Sequence, residues 1–222
     1  MSVLRMPDGR DLDVQVSGPP EGRALLVHHG TPGSATPLRL LTRAAHARGV
    51  RVVSWSRPGY AASTRRSGRS VGSVAADAQA VLDLLGIEQA VTLGWSGGGP
   101  HALACGALLA GRVRSVLVVA GVGPSDGDGL DFLAGMGQDN LDEFGAAVEG
   151  EGPLRAYLET AAVGLREAAP ADLVAEMGSL LPQADRACLA GEMGDDLVLG
   201  FRESTSTGVD GWVDDDLAFI RP

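Results

Sequence analysis

Residues 91–101 read VTLGWSGGGPH, and this stretch decides the fold. An apolar strand pattern over 90–95 runs straight into Gly94-Trp95-Ser96-Gly97-Gly98, and a helical pattern follows from about 97 to 111. A strand-to-helix turn this tight holds its central residue in a strained backbone conformation. Side chains two positions either side would collide, so Gly94 and Gly98 occupy those places. The Ser96 hydroxyl then stands clear of the sheet, and the amides at the helix start point at any negative charge that forms beside it. Glycine-rich strand–helix turns also bind phosphate. The dinucleotide form, G-x-G-x-x-G or its alanine variant, is approached by Gly97, Gly99 and Ala102. That form needs an acid about 20 residues further on, where this chain has the apolar run Val116 to Ala120.

Working outward, residues 2–6 and 11–17 read as two short strands around the turn signal Pro7-Asp8-Gly9. The runs 23–29, 51–55, 90–95 and 113–120 are nearly continuous apolar strands, as expected of a sheet buried on both faces. Helical spacing separates them at 34–48, 71–85 and 97–111, with Gly49 and Gly86 as stops. This alternation predicts an α/β fold: a mostly parallel sheet with flanking helices on both faces, led by an antiparallel hairpin. After Gly121 the strands cease. Helical stretches near 154–165, 171–181 and 184–204 follow, with Pro153, Pro170 and Pro182 at their starts. The expected division is a core over 1–122, an inserted helical lid over 123–210, and a segment over 211–222 returning toward the core. A lid in this place covers the C-terminal edge of the sheet, where open α/β sheets bind ligands.

Composition narrows the chemistry. The chain has 222 residues and a net charge of −10, which argues against a nucleic-acid partner. It contains no lysine, so Schiff-base, pyridoxal-phosphate and phosphate-loop lysine chemistries are excluded. Cys105 and Cys188 lie far apart and read as reduced thiols of a cytoplasmic protein. No His/Cys/Asp cluster has metal-ligand spacing, so neither a metal nor another cofactor is expected. No membrane span and no secretory leader are read in the sequence.

A second constellation closes the strand 23–29: His28-His29-Gly30-Thr31-Pro32-Gly33. Parallel strands can bring this end beside that of 90–95. Gly30 and Gly33 then allow close backbone approach, and the Thr31 amide can donate to an oxyanion. With Ser56-Arg57-Pro58-Gly59-Tyr60 and Gly94-Trp95-Ser96-Gly97-Gly98, this order and spacing resembles the α/β-hydrolase fold enzymes. Within them it is most similar to the lidded group of haloperoxidase-like esterases, prolyl iminopeptidases and epoxide hydrolases. The resemblance covers the whole chain. It implies that Ser96 is a nucleophile toward an ester, amide or similar acyl bond of a small molecule, and that the Thr31 and Gly97 amides form the oxyanion hole. Gly94, Gly98, His29, Gly30 and Gly33 support the elbow and loop. Serine at 96 argues against dehalogenase and epoxide-hydrolase chemistry, which needs a carboxylate nucleophile. Ser56 stands where the family often has Asp, in a loop expected to be structural.

The family orders its triad serine, acid, histidine. His28, His29 and His46 precede Ser96, and His101 is expected to point away from it, packed or against the lid. Asp126, Asp128 and Asp131 follow the strand 113–120, where some relatives place their acid; Asp126 and Asp128 are the candidates. The resemblance implies that the last two strands, with the usual acid and histidine, lie beyond this sequence, roughly 50–60 residues at about 30 per strand–helix unit. The strand 113–120 then becomes a sheet edge, open to self-association. An impaired serine hydrolase is the first expectation. A non-catalytic ligand-binding or interaction protein on a hydrolase scaffold is the alternative.

Overall fold

The computed structural model describes residues 2–177 and 181–221. The expected hairpin is β1 (Ser2–Arg5) against β2 (Asp11–Ser17), with Ser2 opposite Val14. β3 (Arg23–His28), β4 (Val50–Trp55), β5 (Ala90–Trp95) and β6 (Val113–Val119) follow. Among the described residues they form a six-stranded sheet in the order β1-β2-β4-β3-β5-β6. β2 meets β4 antiparallel, and β3 pairs in parallel with both β4 and β5. The register that positions the site is His28 opposite Gly94. It sets the loop after β3 directly beside the turn after β5.

The connecting helices are α1 (Arg39–His46), α2 (Val74–Leu84) after a 3₁₀ turn at Val71–Ser73, and α3 (Gly98–Leu108). α1 is shorter than the expected 34–48. Pro32 and Pro37 bias the residues before them toward extended backbone, and Leu38, with φ −78° and ψ 102°, is still extended as the helix begins. Gly49, at φ 69°, ends the turn beyond it.

The two faces of the sheet are covered unequally. On one face Leu12, Val14, Leu26, Val53 and Trp55 pack against Ala78, Val81 and Leu82 of α2 and Cys105 of α3 in the largest apolar core. Burying each large side chain there contributes roughly 1.5–3 kcal/mol. The opposite face is shielded by α1 over β4, and its far side is bare: Val91, Leu117 and Val119 are 38%, 55% and 45% exposed. The expected helix cover is therefore incomplete. α2 and α3 share the first face, and α1, eight residues long, reaches only part of the second.

Beyond β6 the described residues hold helices and no strand: α4 (Gln138–Glu149), α5 (Glu151–Glu167), α6 (Pro170–Met177), α7 (Gln183–Leu189), α8 (Glu192–Ser204) and α9 (Asp210–Ile220). Of the helix expected over 171–181, residues 178–180 lie outside the described residues. The stretch expected as one helix over 184–204 is two, broken at Ala190-Gly191. The break turns α8 back on α7 so closely that a Cβ at Gly194 would collide with the Leu189 carbonyl. α4, α5 and α9 share a second core built on Phe144, Leu154, Leu158, Trp212 and Phe219, with Tyr60 contributed by the sheet layer. α8 is fastened to α1 by Arg39 on Asp196 and Arg43 on Glu192. No described helix is long and apolar enough to cross a membrane.

Candidate active site

Ser96 sits at the point of the turn between β5 and α3 with φ 52°, a left-handed conformation that non-glycine residues rarely adopt. Its neighbours explain the glycines. A Cβ at Gly94 would collide with the Gly98 carbonyl, and one at Gly98 with the carbonyls of His28 and His29. The Ser96 amide donates to Val119 O at 3.0 Å, tying the turn to β6.

The His29–Gly33 loop lies against this turn. A Cβ placed on Gly30 would be 3.5 Å from that of Ser96, and one on Gly97 would strike Thr31 Oγ1. The backbone amides of Thr31 and Gly97 donate to no other group among the described residues. Unengaged donors in two loops packed together, one of them at the start of an 11-residue helix, are the kind of groups that can receive a developing oxyanion. Gly33 serves the same loop differently: a side chain there would strike the His29 ring.

None of the four histidines hydrogen-bonds to Ser96 among the described residues. His29 Nδ1–H donates to Gly30 O at 2.7 Å, and its Nε2 accepts from the Arg57 amide at 3.1 Å. Both nitrogens are spent, and burial beside Arg57 holds its pKa well below the usual value. His28 is buried between Trp55 and Cys105, and His46 reaches Ser17 at 3.1 Å. His101 is fully buried. Its ring nitrogens face Asp215 Oδ1 at 3.2 Å and the Val71 carbonyl at 3.4 Å. Two acceptors favour the imidazolium, but burial and the Arg57 and Arg69 guanidinium groups outweigh them and lower its pKa to about 4.

Asp215, on α9, is the residue behind the site that sequence reasoning missed. It is wholly buried, accepts from Arg57 Nη2 at 2.6 Å, Tyr60 Oη at 2.8 Å, Thr31 Oγ1 at 3.0 Å and His101, and is ion-paired with Arg69 Nη1 at 2.6 Å. Burial opposes the charge, but the two guanidinium groups prevail and hold its carboxyl well below the usual carboxylate range. Arg57 also donates to the carbonyls of His29, at 2.6 Å, and Gly30, at 2.9 Å. The Arg57–Asp215 pair thus grips the His29–Gly33 loop. A signal was available: three consecutive aspartates inside the apolar segment Trp212–Ile220 cannot all face water if that segment packs. Eight of the eleven residues of α9 are buried, all three aspartates among them.

Ser56 holds the structural place expected of it. Its hydroxyl donates to Asp13 Oδ2 at 2.9 Å and accepts from the Ala35 amide at 2.9 Å. A neighbouring strand thereby supplies a carboxylate where the family often carries one. Asp126 and Asp128 are exposed in the loop after β6 and bond to no histidine among the described residues. No group of three or more metal-ligating side chains occurs among the described residues. An apolar cleft lies between the second sheet face and α8, lined by Val27, Leu38, Leu93, Trp95, Leu197 and Phe201. Gly30 and Trp95 border it, but Ser96 does not line it.

A strained serine turn on a mostly parallel sheet, faced by a glycine loop with free amides, defines an α/β-hydrolase type of site. The chain belongs to the alpha/beta hydrolase fold family, whose pattern matches residues 23–148. It is 31% identical over 152 residues to a non-heme chloroperoxidase of Streptomyces lividans, a match covering 67% of this chain and 54% of that protein. The chain therefore spans about half the length of this curated relative. An alpha/beta hydrolase fold protein from Nakamurella multipartita superposes with a TM-score of 0.62 at 26% identity, over 99% of this chain and 74% of the other. The structure reported with carboxylesterases of Nitrososphaera gargenis superposes with a TM-score of 0.65 at 18% identity, over 98% and 71%, and shows the fold alone.

Two outcomes follow for stability. Gly94→Val should destabilise the fold by roughly 1–3 kcal/mol in urea titration, because the backbone of Gly98 leaves no room for a side chain. His101, with its folded pKa below its unfolded value, binds a proton more readily in the unfolded chain. Its contribution is complete above pH ~6.5 and is lost as pH falls toward about 4, on the order of 3 kcal/mol. Melting curves from pH 7 to pH 4 should therefore drop less steeply for His101→Gln than for the wild type. Parallel curves would contradict this account of His101.

Proposed function

We propose that the protein is a serine hydrolase acting on an ester, amide or similar acyl bond of a small molecule. Ser96 is the nucleophile, and the Thr31 and Gly97 amides receive the tetrahedral oxyanion. Gly94, Gly98, His29, Gly30 and Gly33 hold the elbow and loop in place. The observation that carries this reading is the left-handed Ser96, with the His29–Gly33 loop packed against its turn and the Thr31 and Gly97 amides unengaged among the described residues. Residues 1–122 act as the core, 123–210 as a helical lid, and 211–222 as the segment returning from it. The unpaired Cys105 and Cys188 suit a cytoplasmic setting.

A serine hydroxyl needs an adjacent base near neutral pH. No histidine reaches Ser96 among the described residues, so the base is assigned to a group outside this arrangement, and Asp126 and Asp128 stay candidates for its acid partner. Losing a triad member leaves about 10³–10⁴-fold catalysis over water, from the oxyanion hole and binding. The 222-residue chain is therefore expected to hydrolyse an activated aryl ester slowly. An extension carrying an acid and a histidine in strand–loop context should raise the rate by several orders of magnitude, a gain that Ser96→Ala abolishes. If the unextended chain runs as fast as the extended one, the base lies within these residues. The same unreached serine favours the alternative, a non-catalytic ligand-binding protein. Failure of an active-site-directed fluorophosphonate to label Ser96 in both proteins would select it.

The second proposal concerns assembly. β6 has no neighbour on its outer side among the described residues, and Leu117 and Val119 are exposed along it. Self-association through this edge is expected to appear in sedimentation velocity as concentration-dependent species, and Leu117→Lys should suppress it. A wild-type monomer at high concentration would contradict it.

A further inference from the structure

α4 and α9 meet at a pair of carboxyl groups that has nothing to do with Ser96. Asp216 is 1% exposed, and neither of its side-chain oxygens meets a donor. Glu143 reaches in from α4 to Trp212, one helical turn before Asp216 on α9, which brings the two carboxyl groups to the same place between the helices. Its Oε1 accepts from Trp212 Nε1 at 2.6 Å. Buried polar atoms in folded proteins are hydrogen-bonded, and an ionised carboxylate can only accept. Two carboxylates in reach of each other are therefore satisfied when one of them carries a proton.

The charges nearby point the same way. Arg57 and Arg69 bring two buried positive charges to α9, and Asp215 supplies one negative charge. One further negative charge balances the set; two leave an excess buried anion. We propose that Glu143 and Asp216 share one proton, and that this bridge latches α4 to α9 so that the helical block loosens as the proton is lost to base. On dissociation the O–H bond breaks, the proton passes to hydroxide, and both oxygen pairs are left as carboxylates facing each other.

The surroundings keep the proton in place at neutral pH. Burial raises both acids, and repulsion from Glu143 adds to it at Asp216, which stands well above the usual range. Asp139 on α4 and Asp215 on α9 add repulsion, and Arg69 opposes it. Tyr157 on α5 donates to the Asp139 carbonyl at 3.1 Å, and its own pKa is raised by burial, with Glu143, Asp139, Asp142 and Asp216 adding to it. Arg69 gives Nη1 to Asp215 and Nη2 to the Gly211 carbonyl at 3.0 Å, and its buried Nε has no partner among the described residues. It hydrogen-bonds to neither member of the pair.

Infrared spectroscopy of the full chain tests this directly. At pH 7 a protonated-carboxyl C=O band that shifts in deuterium oxide is expected, and it should vanish in Asp216→Asn and in Glu143→Gln. A group protonated in the folded chain and ionised in the unfolded one makes stability fall as pH rises. The wild-type unfolding constant should then climb by up to tenfold per pH unit from about pH 4–5, where the unfolded acids ionise, and level off once the folded pair releases its proton. Asn at 216 donates its own N–H to Glu143, so Asp216→Asn should be flatter over the same range, and hydrogen exchange of α4 amides should rise with pH, beyond intrinsic rates, in the wild type only. If either variant fails to fold, the wild-type band and the pH-dependent exchange of α4 still decide. A wild-type spectrum without the band, or variant and wild-type stability profiles that run parallel, overturns the proposal.

Discussion

The buried contact between Asp215 and the guanidinium groups of Arg57 and Arg69 is the constraint on which the rest of the site depends. It joins segments far apart in the chain: the His29–Gly33 loop through Thr31, the loop after β4 through Arg57 and Tyr60, the loop before α2 through Arg69, and α3 through His101. A charge taken out of water this completely is tolerable only with its partners in place, and removing one partner of such a pair typically costs about 3–5 kcal/mol. The segments must therefore assemble together. This also explains why α9, with three aspartates, packs as a core helix: Asp214 is held by Arg65, Asp215 by Arg57 and Arg69, and Asp216 lies within reach of Glu143.

From this anchor the geometry at Ser96 follows. Arg57 also donates to the carbonyls of His29 and Gly30, fixing the loop whose Thr31 amide has no partner among the described residues. His29 is consumed in the same lattice and kept neutral, which makes it a structural part of the loop rather than a base. The elbow supplies the other half. The three glycines around Ser96 are the positions where backbone or Thr31 approaches too closely for a side chain.

How much of this could be read in the sequence follows from the range of the interactions. The elbow, the hairpin and the parallel strands were legible because period and turn chemistry are local, and the glycines at 94 and 98 could be interpreted from the turn alone. The length of α1 depended on the prolines at 32 and 37, whose effect on the preceding residues outweighed a helical apolar spacing. The α7–α8 break turned on one close approach, Gly194 on Leu189, that no periodicity encodes. Asp215 was invisible for a stronger reason: its partners lie more than 100 residues away, and only the run of three acids in an apolar segment hinted at it. The incomplete cover of the second sheet face likewise reflects where α2 and α3 pack, which alternation of strands and helices does not specify.

The central claim is that the strained serine and the loop gripped by Asp215 together form a prepared oxyanion site. A crystal structure of the chain after reaction with an organophosphonate tests it most directly. The account predicts a covalent bond to Ser96 Oγ, with the phosphonyl oxygen about 2.7–3.1 Å from the Thr31 and Gly97 amides. An adduct whose oxygen turns away from both amides, or an adduct on another residue with Ser96 untouched, would contradict it.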